Sequence, residues 1–402
     1  MQTSDAYREY FGRLNDDGIL HINHHIYPKM VTTAALAWKQ MGRSDFQKHV
    51  LVFERPGRRD NLPTVLIKMK AWTDQEVSAL KDLFSLSLRL GVERRLVEDP
   101  LHPERSFLSP VFYSGDLTEL AELSKKIEFR IMPSTDDKPY FNFLRKRIGL
   151  VESDTENFMN ISTAKLLNSQ IKKFVPMDII HLCVTGAASL FFVVIFIVLP
   201  LHFAGVGKAR WSQKGSCLVY FSCLGAGFII FELVLIQIFM HFIGFPLYTY
   251  SAVIFTLLLG AGVGSLSSKK LGVSLTNRWM VPFIGILVIG LFLLVTHRHI
   301  FDVFIAYPIV IRILVSSLLI FPMGFFMGMP FPLGILAIKS YPSGAIAWAW
   351  AMNGLFTVVG GFSSILLSIF LGFRQTLLLA LILYVLAFSI FSRIRLAGHV
   401  ST

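Results

Sequence analysis

From residue 179 onward the chain is a succession of apolar runs, at roughly 179–204, 216–240, 246–267, 279–297, 306–329, 345–372 and 375–392. About 20 apolar residues in a helix cross ~30 Å of hydrocarbon. Only a helix or a closed barrel satisfies its own backbone there. The expected architecture is a multi-pass α-helical membrane protein with about seven spans. The fifth run continues into GMPFPLGILAI, and Pro322, Pro330 and Pro332 each remove a donor from the helical ladder. A kinked helix with an interfacial extension is expected there, ahead of a re-entrant segment.

Charge divides the chain at the same place. Residues 1–175 hold 26 Lys/Arg and 23 Asp/Glu, whereas residues 176–402 hold 12 Lys/Arg and three acids, Asp178, Glu232 and Asp302. The chain is 53% hydrophobic and 16% charged, against about 25% charged in soluble domains. The basic pI of 9.6 follows from bases in loops between apolar runs, facing an anionic leaflet, so the expected partner is the lipid bilayer and not nucleic acid. One face of the bundle collects Lys208, Arg210, Lys214, Lys269, Lys270, Arg278, Lys339, Arg393 and Arg395. The other collects Arg298 and Arg374, with Lys172 and Lys173 ahead of the first span. The positive-inside rule therefore puts the C-terminus in the cytoplasm, the expected location being a bacterial inner membrane. It also sets the soluble segment across the first span from that side. Cys183, Cys217 and Cys223 form neither a CxxC pair nor a Cys/His cluster, so no disulfide or zinc framework is expected. The N-terminal stretch MQTSDAYREYFGRLNDDG is polar and lacks the apolar core of a signal peptide.

The first 90 residues alternate helix and strand signals. Residues 5–14 read as an amphipathic helix stopped by Asn15-Asp16-Asp17-Gly18, 18–25 as a strand, and 29–42 as a helix ending at Gly42. Residues 48–55 and 62–70 read as strands joined through the Pro56–Asn61 turn. The helix at 72–84 opens on a capping-box pattern, Thr73 with Glu76. Strand, helix, strand and hairpin strand form the closing portion of a doubly wound sheet with an antiparallel last strand. Residues 90–150 are irregular, with Pro100, Pro103, Pro110 and Pro133 among them. The expected domains are 1–110, a connector at 111–175, and a bundle at 176–402.

Four stretches carry a resemblance: DAYREYFGRLNDDGILHI, TDDKPYFNF, residues 220–265, and GMPFPLGI with WAMNGLFTVVGG. Together they resemble the membrane-bound spermidine synthase-like proteins, which fuse an aminopropyltransferase-type domain to transmembrane helices. The resemblance implies a partial α/β Rossmann-like, methyltransferase-type domain ahead of the bundle. The implied reaction is aminopropyl transfer, with decarboxylated S-adenosylmethionine as co-substrate. In such a sheet the nucleoside sits at a Gly-rich turn and an acidic residue beyond the first strands. The family's catalytic aspartate follows the fourth strand. No glycine fingerprint occurs before residue 18, and GAGVGS at 260–265 lies inside a span, where it reads as helix packing. The chain is thus expected to be catalytically incomplete and to bind no cofactor alone. An upstream domain or partner chain would complete the sheet.

Candidate side chains follow from burial cost. Glu232 falls mid-span, where a carboxylate costs several kcal/mol unless paired, protonated or facing a wet cavity. Helical spacing sets it on one face with Ser222, Gly225 and Ile229, and a comparable stripe of Asn353, Thr357, Gly360, Gly361 and Ser364 runs along the sixth span. Glu232 and Asn353 are candidates for binding a cation or polyamine. That alternative makes the chain a transporter or binding module for an amine or other organic cation. A structural ion pair between Glu232 and Arg312 is the competing expectation. Asp136 and Asp137 are candidate amine ligands, against the simpler reading of a charged turn with Lys138. His24 and His25 end the first strand, Gln237 and His241 lie near a span end, and His297 and His299 flank Arg298 at a membrane surface. The GxxxG pairs Gly260/Gly264 and Gly324/Gly328 permit close helix approach, within one bundle or across a homodimer seam.

Overall fold

The computed structural model describes residues 2–23, 27–54, 63–86, 94–127, 130–140, 177–204, 208, 211, 213–271, 273–275, 277–342 and 344–400. The chain forms two compact units, Met1–Met177 and Asp178–Thr402.

In the first unit, α1 (Ser4–Arg13) starts at Thr3, whose hydroxyl accepts the Ala6 N–H at 3.2 Å. Its apolar side buries Tyr7 and Phe11, and Phe11 meets Trp38 of α2 (Tyr27–Gln40) edge-on at 5.4 Å. Four strands follow the order β1-β3-β2-β4: β1 (Ile19–Asn23), β2 (Val50–Glu54), β3 (Thr64–Lys68) and β4 (Arg95–Glu98). Every pairing is antiparallel, with Ile19 opposite Lys68 and Val52 opposite Val65. β1 and β2 therefore point the same way, with β3 reversed between them. Period-2 alternation sends Val50, Val52, Val65 and Ile67 into a core with α2. Leu51, Phe53 and Leu66 pack on the opposite face with Trp72 and Val77, at the start of α3 (Asp74–Leu86). The capping box is formed: Thr73 N–H donates to Glu76 at 3.0 Å, and Glu76 N–H to the Thr73 hydroxyl at 3.4 Å.

The described parts of residues 90–150 hold more order than the prolines suggest. They supply β4 and α4 (Leu117–Lys126), which Asp116 caps with bonds of 2.8 and 3.3 Å to the Thr118 and Glu119 amides. Phe112, Tyr113, Leu120 and Ile131 from the expected connector lie in the same core as Met30 and Trp38.

Among its described residues the second unit has seven helices long and apolar enough to cross a membrane: α5 (Ile180–Phe203), α6 (Lys214–Ile243), α7 (Pro246–Ser268), α8 (Val281–Phe304), the pair α9–α10 within Ile309–Ile338, α11 (Gly344–Leu371) and α12, spanning as Phe373–Ile394. In α5 a π turn at Val194–Val198 precedes Pro200, whose missing N–H and bulky ring disturb the bonding of the preceding turn. Pro322 does not end its helix: α9 (Ile309–Met327) runs through it, and the break comes at Gly328. Pro330 then opens α10 (Pro330–Ile338), where a missing N–H costs nothing. Tyr220 donates to the Pro330 carbonyl at 2.6 Å beside that break.

The GxxxG pairs interlock with each other. A Cβ on Gly260 would lie 2.6 Å from the Phe321 carbonyl oxygen, and one on Gly328 would lie 2.0 Å from that of Ala261. Two runs of small residues on α7 and α9 thus make one intramolecular seam.

Candidate functional site

The two stripes of small and polar residues face one another along α6 and α11. A Cβ on Gly225 would stand 2.2 Å from the Asn353 carbonyl oxygen, and one on Gly360 would stand 2.8 Å from the Ala226 Cα. Asn353 Nδ2 donates to the Phe221 carbonyl at 3.4 Å, a pair 132 residues apart. The same offset links Gly225 with Thr357 and Ile229 with Gly361, so the helices run parallel in constant register. Carried one turn further, that register sets Glu232 level with Ser364, which is 1% exposed.

Glu232 is half-buried at the edge of this seam. It lies 18 residues into Lys214–Ile243 and 11 before its end, about 27 Å and 16 Å from the two ends. Among the described residues no hydrogen bond or ion pair reaches its carboxyl. The expected Glu232–Arg312 pair is not formed. Arg312 instead donates to the Phe242 carbonyl at 2.9 Å, ten residues and about 15 Å further along α6. A cation there caps the C-terminus of α6, where carbonyls lack intrahelical donors and the helix dipole is negative. Gly244, at φ 85°, turns the chain next to that guanidinium.

Asn353 does not share a pocket with Glu232. It is level with Phe221, eleven residues and about 16 Å from the Glu232 level, and its amide serves the seam. In the first unit, Asp136 accepts the Thr3 hydroxyl at 2.6 Å, and its own N–H donates to Asp5 at 2.9 Å. It ties the start of α1 to the 134–138 turn. Asp137 stands in the same turn, in electrostatic contact with Lys138. His24 and His25 lie outside the described residues. Gln237 and His241 are half-buried near the end of α6, and His297 bonds its own helix at the Leu293 carbonyl, 2.7 Å away.

No family model, no curated protein and no solved structure matches this chain. Its chemistry has to be read from its own side chains.

Two buried groups of the first unit escaped the sequence reading. Glu98, 1% exposed, accepts from Tyr27 at 2.9 Å, Tyr113 at 2.6 Å and the Leu108 N–H at 3.2 Å. Burial raises its pKa against the opposing pull of those donors. Lys29, 5% exposed in the first turn of α2, donates to the Tyr140 carbonyl at 3.2 Å. Its pKa falls to about 7, chiefly through burial and then through Arg130 and Lys138. Neither shows a sequence signal, because each is assembled across more than 70 residues or from irregular segments. A cleft of about 610 Å³ beside Trp38, Phe46 and Pro110 carries Lys39 and Arg43 on its wall. Lys39 is bound to Asp116 at 2.9 Å, and Arg43 lies over Trp38 at 4.6 Å. Among the described residues no three His, Cys, Asp or Glu side chains converge as metal ligands.

Proposed function

We propose that this integral membrane protein is spermidine synthase-like, and that its soluble unit contributes to aminopropyl transfer only when another segment or chain completes the sheet. The observation that carries this reading is the free edge of β1. β1 pairs with β3 on one side, and among the described residues no strand lies on the other. The strand directions support it as well, since β1 and β2 run the same way with β3 reversed between them, as in the closing portion of a doubly wound sheet. Ligands of such sheets bind beyond the carboxyl ends of the parallel strands. The Gly-rich turn and ribose-binding acid would enter with a strand added to the β1 edge. That added strand also covers an edge which is otherwise prone to non-specific pairing. The natural setting in this reading is a bacterial inner membrane with the C-terminus in the cytoplasm.

Calorimetric titration of the purified chain with decarboxylated S-adenosylmethionine tests the proposal. The expected result is no saturable heat with the chain alone, and binding once the completing segment is supplied. A dissociation constant below about 10 μM for the chain alone, roughly −7 kcal/mol, would overturn it.

A further inference from the structure

The environment of Glu232 points to a ligand, independently of any role of the soluble unit. The carboxyl sits at mid-depth of a helix that crosses hydrocarbon, where an uncompensated charge costs several kcal/mol. The cation that the sequence offers as its partner, Arg312, is committed to the Phe242 carbonyl at the far end of the span. Every other Lys or Arg of the seven apolar runs lies in a loop or at a span end.

One turn before Glu232 the seam is less tight than at Gly225. A Cβ on Gly361 would meet nothing nearer than Ile229 at 3.7 Å and Leu233 at 3.9 Å, in contrast to the tight approach at Gly225. Ser364 stands at the same level, and Phe228, one turn before Glu232 on the same face, is half-buried. An aromatic face and a carboxylate in an apolar setting suit an ammonium ion carrying an apolar stem. They suit a divalent metal poorly, since calcium and magnesium need several oxygen ligands and only one acid is present.

We propose that Glu232 is the anchoring carboxyl of an intramembrane site for a single organic ammonium ion, at the edge of the seam between α6 and α11. Charge neutralisation supplies the affinity. A simple neutral glutamic acid is the competing state.

Equilibrium binding of radiolabelled n-hexylammonium to the full chain in detergent tests the site. Wild type should bind one ion per chain, Glu232→Asp should retain binding, and Glu232→Gln should bind at least about tenfold more weakly. If Glu232→Gln does not fold, labelling of wild type by dicyclohexylcarbodiimide replaces it, and hexylammonium should slow modification of Glu232 saturably while equal sodium chloride does not. Wild-type affinity in a folded Glu232→Gln protein, or labelling of Glu232 unaffected by the amine, overturns the proposal.

Discussion

A Cβ added to Gly264 would stand 1.8 Å from the carbonyl oxygen of Phe325, closer than any atom can approach. The contact is backbone to backbone, so no rotamer change relieves it. Gly264→Ala should therefore destabilise the bundle by about 1–3 kcal/mol, the usual cost of overpacking. Gly262, two residues away on α7, has nothing within 4 Å of the position a Cβ would take. Gly262→Ala should be neutral or mildly stabilising, since alanine favours helix over glycine. Thermal unfolding of both variants in detergent checks the pair. Equal stability would mean that α7 and α9 do not meet through this seam.

Glu232 and Arg312 are expected to be energetically independent. The guanidinium bonds to the Phe242 carbonyl, about 15 Å along α6 from the carboxyl. A double-mutant cycle with Glu232→Gln and Arg312→Ala should give an interaction below about 0.5 kcal/mol. Arg312→Ala alone should destabilise by about 1–3 kcal/mol through the uncapped end of α6. A coupling above that limit would restore the direct ion pair.

Lys29 predicts a pH dependence in the first unit. Its ammonium loses its proton near pH 7 in the fold, against 10.5 when solvated. Between those values the unfolded chain carries the additional proton, so stability rises with pH across the window. The contribution is complete above about 10.5 and is lost as pH falls to about 7. Urea midpoints followed by hydrogen exchange in residues 27–40 should rise from pH 7 to pH 10. Lys29→Met should flatten the slope, and a variant with the wild-type slope would remove Lys29 as its cause.

Reporter fusions after Thr402 and within the 268–278 loop should both report the cytoplasm. Seven spans put both points on the face that collects nine bases, while Arg298 and Arg374 lie on the other. Opposite signals from the two fusions would require a different number of crossings between them.

The membrane half was legible from its residues alone, because a bilayer demands about 20 apolar residues per crossing whatever the neighbouring helices do. All seven runs became helices long and apolar enough to span, and the two polar stripes, read from helical spacing alone, came to face each other. Local signals of the soluble unit were equally legible: the Thr73–Glu76 capping box needs only residues three apart. Contacts between partners distant in the chain were set by packing. Glu232 and Arg312 looked complementary by charge, yet helix packing set their levels apart. The Glu98 site depends on Tyr27, 71 residues earlier, and on Tyr113 from a stretch without periodicity. Pro322 was expected to break the ladder of a kinked fifth helix, and the helix runs through it to end at Gly328. Hydrophobic periodicity encodes which face of an element is buried. Which residues meet across that face is set by register and crossing geometry, and these emerge only when the helices and strands pack.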